Sequence, residues 1–170
     1  MPLRSSPLLP NIKSIQRGTV NFNGEGIINV PITAVDRTKA VSICSVKTAN
    51  ASRIQRNWTL FCSSLTSDNQ LTLERGSAPT VGNIVEVRWM VIEYNNVKML
   101  YSGTTTSTII TIDPITQNKT MIYFTGYSTS TSNIDYLDNV RGGDWLSNTQ
   151  YHLHHGSTLT TVHYYIVEFL

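Results

Sequence analysis

With 170 residues, 14% of them charged and 40% hydrophobic, the chain is long enough for one domain or two small ones. A net charge of +2 from 13 basic and 11 acidic residues is too balanced for a nucleic-acid-binding surface, and no basic run interleaved with aromatics occurs. The composition also excludes acidic tails and coiled coils, and no stretch approaches the ~20 apolar residues that a spanning helix needs.

Thr, Ser, Val and Ile punctuated by Gly and Asn point to an all-β protein. Residues 1–11 carry Pro2, Pro7 and Pro10, which disfavour helix and central strand, so an extended arm is expected, either loose or lying across a neighbouring subunit. The arm holds no apolar core of signal-peptide length, and the expectation is a soluble protein made and assembled in a cytosol. Ile12–Phe22 reads as the first strand, with Gly18 as a bend or bulge. Asn23-Gly24-Glu25-Gly26 reads as a hairpin turn that pairs Ile27–Ile32 back onto it. Ala40–Val46, Trp58–Ser63 and Gln70–Glu74 follow as strands. In Val85–Tyr94, Val85, Val87, Trp89 and Val91 share one face at a period of two. From Met90 onward the other face is apolar as well.

Asn95-Asn96 marks a boundary, after which the order recurs. Val97–Thr104 lies over Ile12–Thr19 at a shift of 85, and Lys119–Phe124 over Lys39–Cys44 at 80. Leu153–Ser157 lies over Leu73–Ser77 at 80, and Val162–Phe169 over the closing strand at 75. Four matches in one order predict a tandem pair, 12–94 and 97–170, each an antiparallel β-sandwich of about six strands behind the 1–11 arm. Trp89 and Tyr164 become equivalent anchors. The doubly apolar end of the closing strands (Met90, Ile92 and Tyr94; Tyr165, Val167 and Phe169) should pack against a second unit or subunit. Asn133–Val140 is the sole helical candidate.

Chemistry is sparse. Cys44 and Cys62 sit in apolar contexts and read as reduced core residues, though a disulfide is open if their strands are neighbours. No nucleophile motif, phosphate loop or carboxylate pair argues for an enzyme. Glu93 and Glu168 hold equivalent strand-end positions, which suits a rim salt bridge or a backbone cap. His152 and His154 project the same way from a strand, so a threefold assembly could gather such pairs around one metal ion on its axis. No other cofactor is expected.

Two stretches carry a family resemblance. Ser14-Ile-Gln-Arg-Gly-Thr-Val20 and Val87-Arg-Trp-Met-Val-Ile-Glu-Tyr94 resemble the first and last strands of H-type lectin domains, which are six-stranded antiparallel sandwiches assembling as trimers. Ser14–Thr19 with Ile32-Thr-Ala-Val-Asp-x-x-Lys-Ala40 and the same closing strand is similar to small virion-associated proteins of tailed bacteriophages. The resemblance covers most of 12–94 and, more weakly, 97–170. It implies a non-enzymatic virion component, homotrimeric, assembled in the host cytoplasm, contacting other virion proteins in tail, baseplate or capsid decoration. It implies neither nucleic-acid binding nor membrane insertion. The alternative is a host-surface glycan-binding adhesin. Sugar contacts in such lectins come from the loop ahead of the last strand, which in this chain holds Glu74 and Arg75 in one copy and His154 and His155 in the other. The Trp-His pair of the animal lectins is absent.

Overall fold

Period-two alternation of apolar residues dominates the computed structural model, which describes residues 12–48, 61–75, 84–126, 142–154 and 162–170. The described residues contain no α-helix and form several antiparallel sheets. The strands are β1 (Ile12–Asn23), β2 (Ile27–Pro31), β3 (Ala40–Thr48), β4 (Phe61–Ser67), β5 (Gln70–Arg75) and β6 (Ile84–Tyr94). They continue as β7 (Val97–Thr105), β8 (Ile109–Thr111), β9 (Thr120–Gly126), β10 (Gly142–Trp145), β11 (Gln150–His154) and β12 (Val162–Phe169). A 3-10 turn, Gln117–Lys119, precedes β9. The expected 1–11 arm, Trp58 and the Asn133–Val140 candidate fall outside the described residues.

Among the described residues four three-stranded sheets result, ordered β1-β6-β3, β2-β5-β4, β7-β12-β9 and β10-β11-β8. In each half of the chain the last strand therefore lies between the first and third, and the fifth between the second and fourth. Backbone ties recur too. Ile32 N–H donates to Asn69 O (3.0 Å) and Val35 N–H to Asp68 O (2.8 Å); eighty residues on, Ile112 N–H donates to Thr149 O (3.0 Å) and Ile115 N–H to Asn148 O (2.9 Å).

Two local expectations need correction. Asn23–Gly26 is a turn, with Gly24 at φ 99°, but not a hairpin: β1 pairs with β6 and β2 with β5. Phe22, Ile28 and Val30 all face one apolar core from opposite layers, and pairing β2 on β1 would put them in one layer and leave that core half built. The long central partner β6 outcompetes the turn's local preference. Gly18 is likewise neither bend nor bulge. Its register with Trp89 is regular, and the one irregularity in β1 lies between Ile12 and Ser14. What the position needs is the missing side chain, because a Cβ there would stand 2.6 Å from Trp89 Cζ2. Gly103 repeats the device under Tyr164, at 2.9 Å from the hydroxyl. Gly18→Ala should cost about 1–3 kcal/mol by overpacking a rigid indole, partly offset by the ~0.4–1 kcal/mol that alanine removes from unfolded-chain entropy. Gly103→Ala should cost less, since it meets the end of a Tyr ring rather than the middle of an indole. Urea denaturation of the two variants checks the order.

Burial falls in three clusters. Phe22, Leu71, Leu73, Val85, Val87 and Val91 fill the space between the first pair of sheets, with the Phe22 and Phe61 rings edge-to-face at 4.8 Å. Ile110, Tyr151, Leu153 and Ile166 do the same between the second pair. The third cluster, Val41, Tyr94, Tyr165 and Val167, joins the halves to each other.

Candidate functional site

Three places gather polar chemistry, and the strand pattern explains each. The first is the pair of buried carboxylates. Glu93 stands on the inner face near the end of β6, where the β1 register irregularity swings Lys13 and Ser14 toward it. It accepts from Lys13 Nζ at 2.8 Å, from Ser14 Oγ at 3.2 Å and from the Asp36 backbone N–H at 2.9 Å. Glu168 repeats this in β12, accepting from Lys98 Nζ at 3.0 Å and the Thr116 backbone N–H at 3.0 Å. Burial opposes the charge in both cases, but the lysine and the backbone donor outweigh it and hold each carboxyl below its usual value. Glu93 is held through both oxygens by a salt bridge, a hydroxyl and a loop cap, whereas Glu168 takes its lysine and its loop cap on Oε1 alone and keeps Oε2 buried without a hydrogen-bond partner among the described residues.

The second place is the junction between the halves. A period of two puts His163, Tyr165, Val167 and Phe169 on one face of β12, opposite the face that carries Ile166 into the second core. The Tyr165 hydroxyl shares a 2.9 Å hydrogen bond with buried Ser42 Oγ, and the hydroxyls of Tyr94 and Tyr123 lie 2.8 Å apart. Phe169 meets Tyr94 edge-to-face at 5.3 Å. Of the six apolar residues singled out from the sequence, Tyr94, Tyr165 and Val167 are buried at this junction within one chain, with Ile92 and Phe169 packed against them. Met90 is elsewhere. It lines a groove of about 340 Å³ on the β1-β6-β3 sheet, between Arg17 and Arg88.

At the same junction β12 lays His163 over β4 and β5. Cys62 and Glu74 pair directly across those strands, with Cys62 Sγ 4.0 Å from Glu74 Oε2. One ligand-capable atom from each of Cys62, Glu74 and His163 lies within 4.8 Å of the other two. Burial and the Glu74 charge push the Cys62 thiol well up, while burial keeps the His163 imidazole below its usual value. Cys44 is a second free thiol, raised by burial to about 11. The sequence shows His163 and Cys62 separately and hides their meeting, because no local spacing links residues 62, 74 and 163.

The third place is the outer face of β11. His152 and His154 do project the same way, ring centroids 5.3 Å apart, but His154 Nε2 is 3.1 Å from the Asp144 carboxylate on β10. The residues assigned to sugar contact do not converge. Arg75 is buried at 4% exposure with its guanidinium over the Phe61 ring at 5.5 Å, whereas Glu74 turns to the opposite face of β5. Strand alternation separates the two, and neither lies in a loop ahead of β6. His155 lies outside the described residues.

What fold and site define is an all-β protein built of several antiparallel sheets. No family model matches the chain, and searches of curated proteins and of solved structures returned no match.

Proposed function

We propose that this chain is a non-enzymatic structural protein of a tailed-bacteriophage virion, trimeric, acting through protein–protein interfaces in the tail or baseplate or on the capsid. Its two halves are then tandem H-type-lectin-like sandwiches, each using the strand order that the two share. Support comes from the motif resemblance at Ser14–Val20 and Val87–Tyr94 and from the structural partners that occupy both oxygens of Glu93.

The observation that carries the reading is an uncovered apolar edge. β1 is an edge strand twelve residues long, and Ile12 and Ile15 on it are 45% and 46% exposed. Ile15 stands in the same row as Ile92 and buried Val41, so the apolar strip of the junction continues outward past its own rim. Met121, on the β9 edge of the opposing sheet, is 45% exposed as well. A long edge strand with exposed isoleucines invites pairing with another chain unless something covers it, and a stable obligate interface buries ~2,000 Å² or more. Glu substituted at Ile15 is expected to turn a trimer into monomers by light scattering while leaving the circular-dichroism spectrum unchanged. A wild-type chain that is monomeric at micromolar concentration and absent from purified particles by electron microscopy overturns the proposal. The adhesin alternative rests on the Arg17–Met90–Arg88 groove, of a size that suits a sugar, and a blank glycan array removes it.

A further inference from the structure

We infer that Cys62, Glu74 and His163 form a divalent transition-metal site, best suited to Zn²⁺, that bolts the two halves of the chain together. The ligands come from three strands and from both halves: β4 and β5 on one side, β12 on the other. Thiolate, imidazole and carboxylate are the donor set of zinc, with metal–ligand distances of about 2.0–2.3 Å. Tetrahedral geometry at those lengths puts ligand atoms about 3.3–3.6 Å apart. The observed trio, within 4.8 Å, needs only small side-chain rotations to close on an ion.

Metal binding here must displace a proton. A buried thiol set against a carboxylate is held protonated, because burial and the neighbouring charge both disfavour thiolate. A dication between them reverses both effects, and the thiol proton leaves to solvent as the Sγ–metal bond forms. His163, kept neutral by burial, needs no deprotonation to donate its lone pair. The site is reachable. Glu74 and His163 are only half-buried, and His163 also lines a junction groove of about 190 Å³ with Arg37, Ser64 and Tyr165, which gives the imidazole a route to solvent. In the His152–His154 pair, by contrast, His154 is exposed and already paired with Asp144.

The test is Co²⁺ and Zn²⁺ titration of the metal-free full chain. Expected are one equivalent of Co²⁺ with a thiolate-to-cobalt charge-transfer band, about one proton released per ion, and a rise in Tm of about 5–10 °C in ~100-fold excess Zn²⁺ over Kd. Cys62→Ser should abolish the band, and His163→Gln and Glu74→Gln should each weaken binding at least about tenfold. The double variant His152→Gln/His154→Gln should bind as wild type. Melting of each variant in chelator shows that it is folded before its affinity is compared. The site is refuted by the absence of one-equivalent binding, by a spectrum without the thiolate band, or by binding that survives Cys62→Ser and His163→Gln but is lost in His152→Gln/His154→Gln.

Discussion

Tyr165→Ala is expected to cost about 3–5 kcal/mol and to split a single unfolding transition into two. Tyr165 is 5% exposed in the cluster with Val41, Tyr94 and Val167, and truncation there removes an aromatic ring that neither flanking sheet can collapse to replace. It also strands the Ser42 hydroxyl, which is fully buried and held by the Tyr165 hydroxyl at 2.9 Å. Tyr165→Phe isolates that second contribution. It keeps the ring and should cost about 1–3 kcal/mol, the desolvation penalty of an orphaned buried group. Loss of the ring exceeds loss of the hydrogen bond, so alanine must be the more damaging change. Each half has its own core, around Leu73 in one and Leu153 in the other, both fully buried. Weakening the cluster between them should therefore uncouple the halves rather than unfold both. Differential scanning calorimetry reads this directly: one peak for wild type, two for Tyr165→Ala. A single peak at reduced temperature would mean that the halves have no separate stability.

The strands themselves were legible because each buries one face. Val85, Val87 and Val91 alternate so regularly that no other secondary structure would bury them, and the observed β6 adds only Ile84 to the expected span. The offsets of 85, 80 and 75 likewise picked out positions that the fold treats alike, Gly18 with Gly103 and Lys13 with Lys98. What stayed hidden is non-local. An Asn-Gly turn signals a change of direction but not whether the chain returns in the same sheet, so the partner of β2 was misassigned. The short β8 and β10 carry three and four residues, too few for a period to show. The lectin resemblance puts Arg75 in the loop ahead of a closing strand, whereas it ends β5. Its burial depends on the Phe61 ring across the β4–β5 pair, which no sequence window contains. The Cys62–Glu74–His163 trio needs two strand pairings and the docking of one half on the other before it exists at all.

Glu93→Gln should destabilise by about 2 kcal/mol, the double variant Glu93→Gln/Glu168→Gln by about twice that, and the double variant should lose most of the wild type's acid sensitivity. The lysines contribute the smaller part. Lys13 and Lys98 side chains are 55% and 48% exposed, so water screens their charge. The larger part comes from the Asp36 and Thr116 backbone N–H groups, each donating to a carboxylate that is itself 2% exposed or less. A glutamine amide can present its NH₂ or its oxygen to that donor, and only one orientation satisfies it while Lys13 still requires an acceptor. The sign with pH follows from the depressed carboxyls. Their folded-state values lie below the ordinary 4.5, so the unfolded chain binds protons first as pH falls. The stabilisation is complete above about pH 4.5 and is lost as pH drops through the folded-state values. Each tenfold difference in proton affinity between the folded and unfolded carboxyl corresponds to ~1.4 kcal/mol of that loss. Urea midpoints measured down a pH series should fall below pH ~4.5 for wild type and stay nearly level for the double variant. A double variant as acid-labile as wild type would place the sensitivity in other carboxylates and refute the structural role of Glu93 and Glu168.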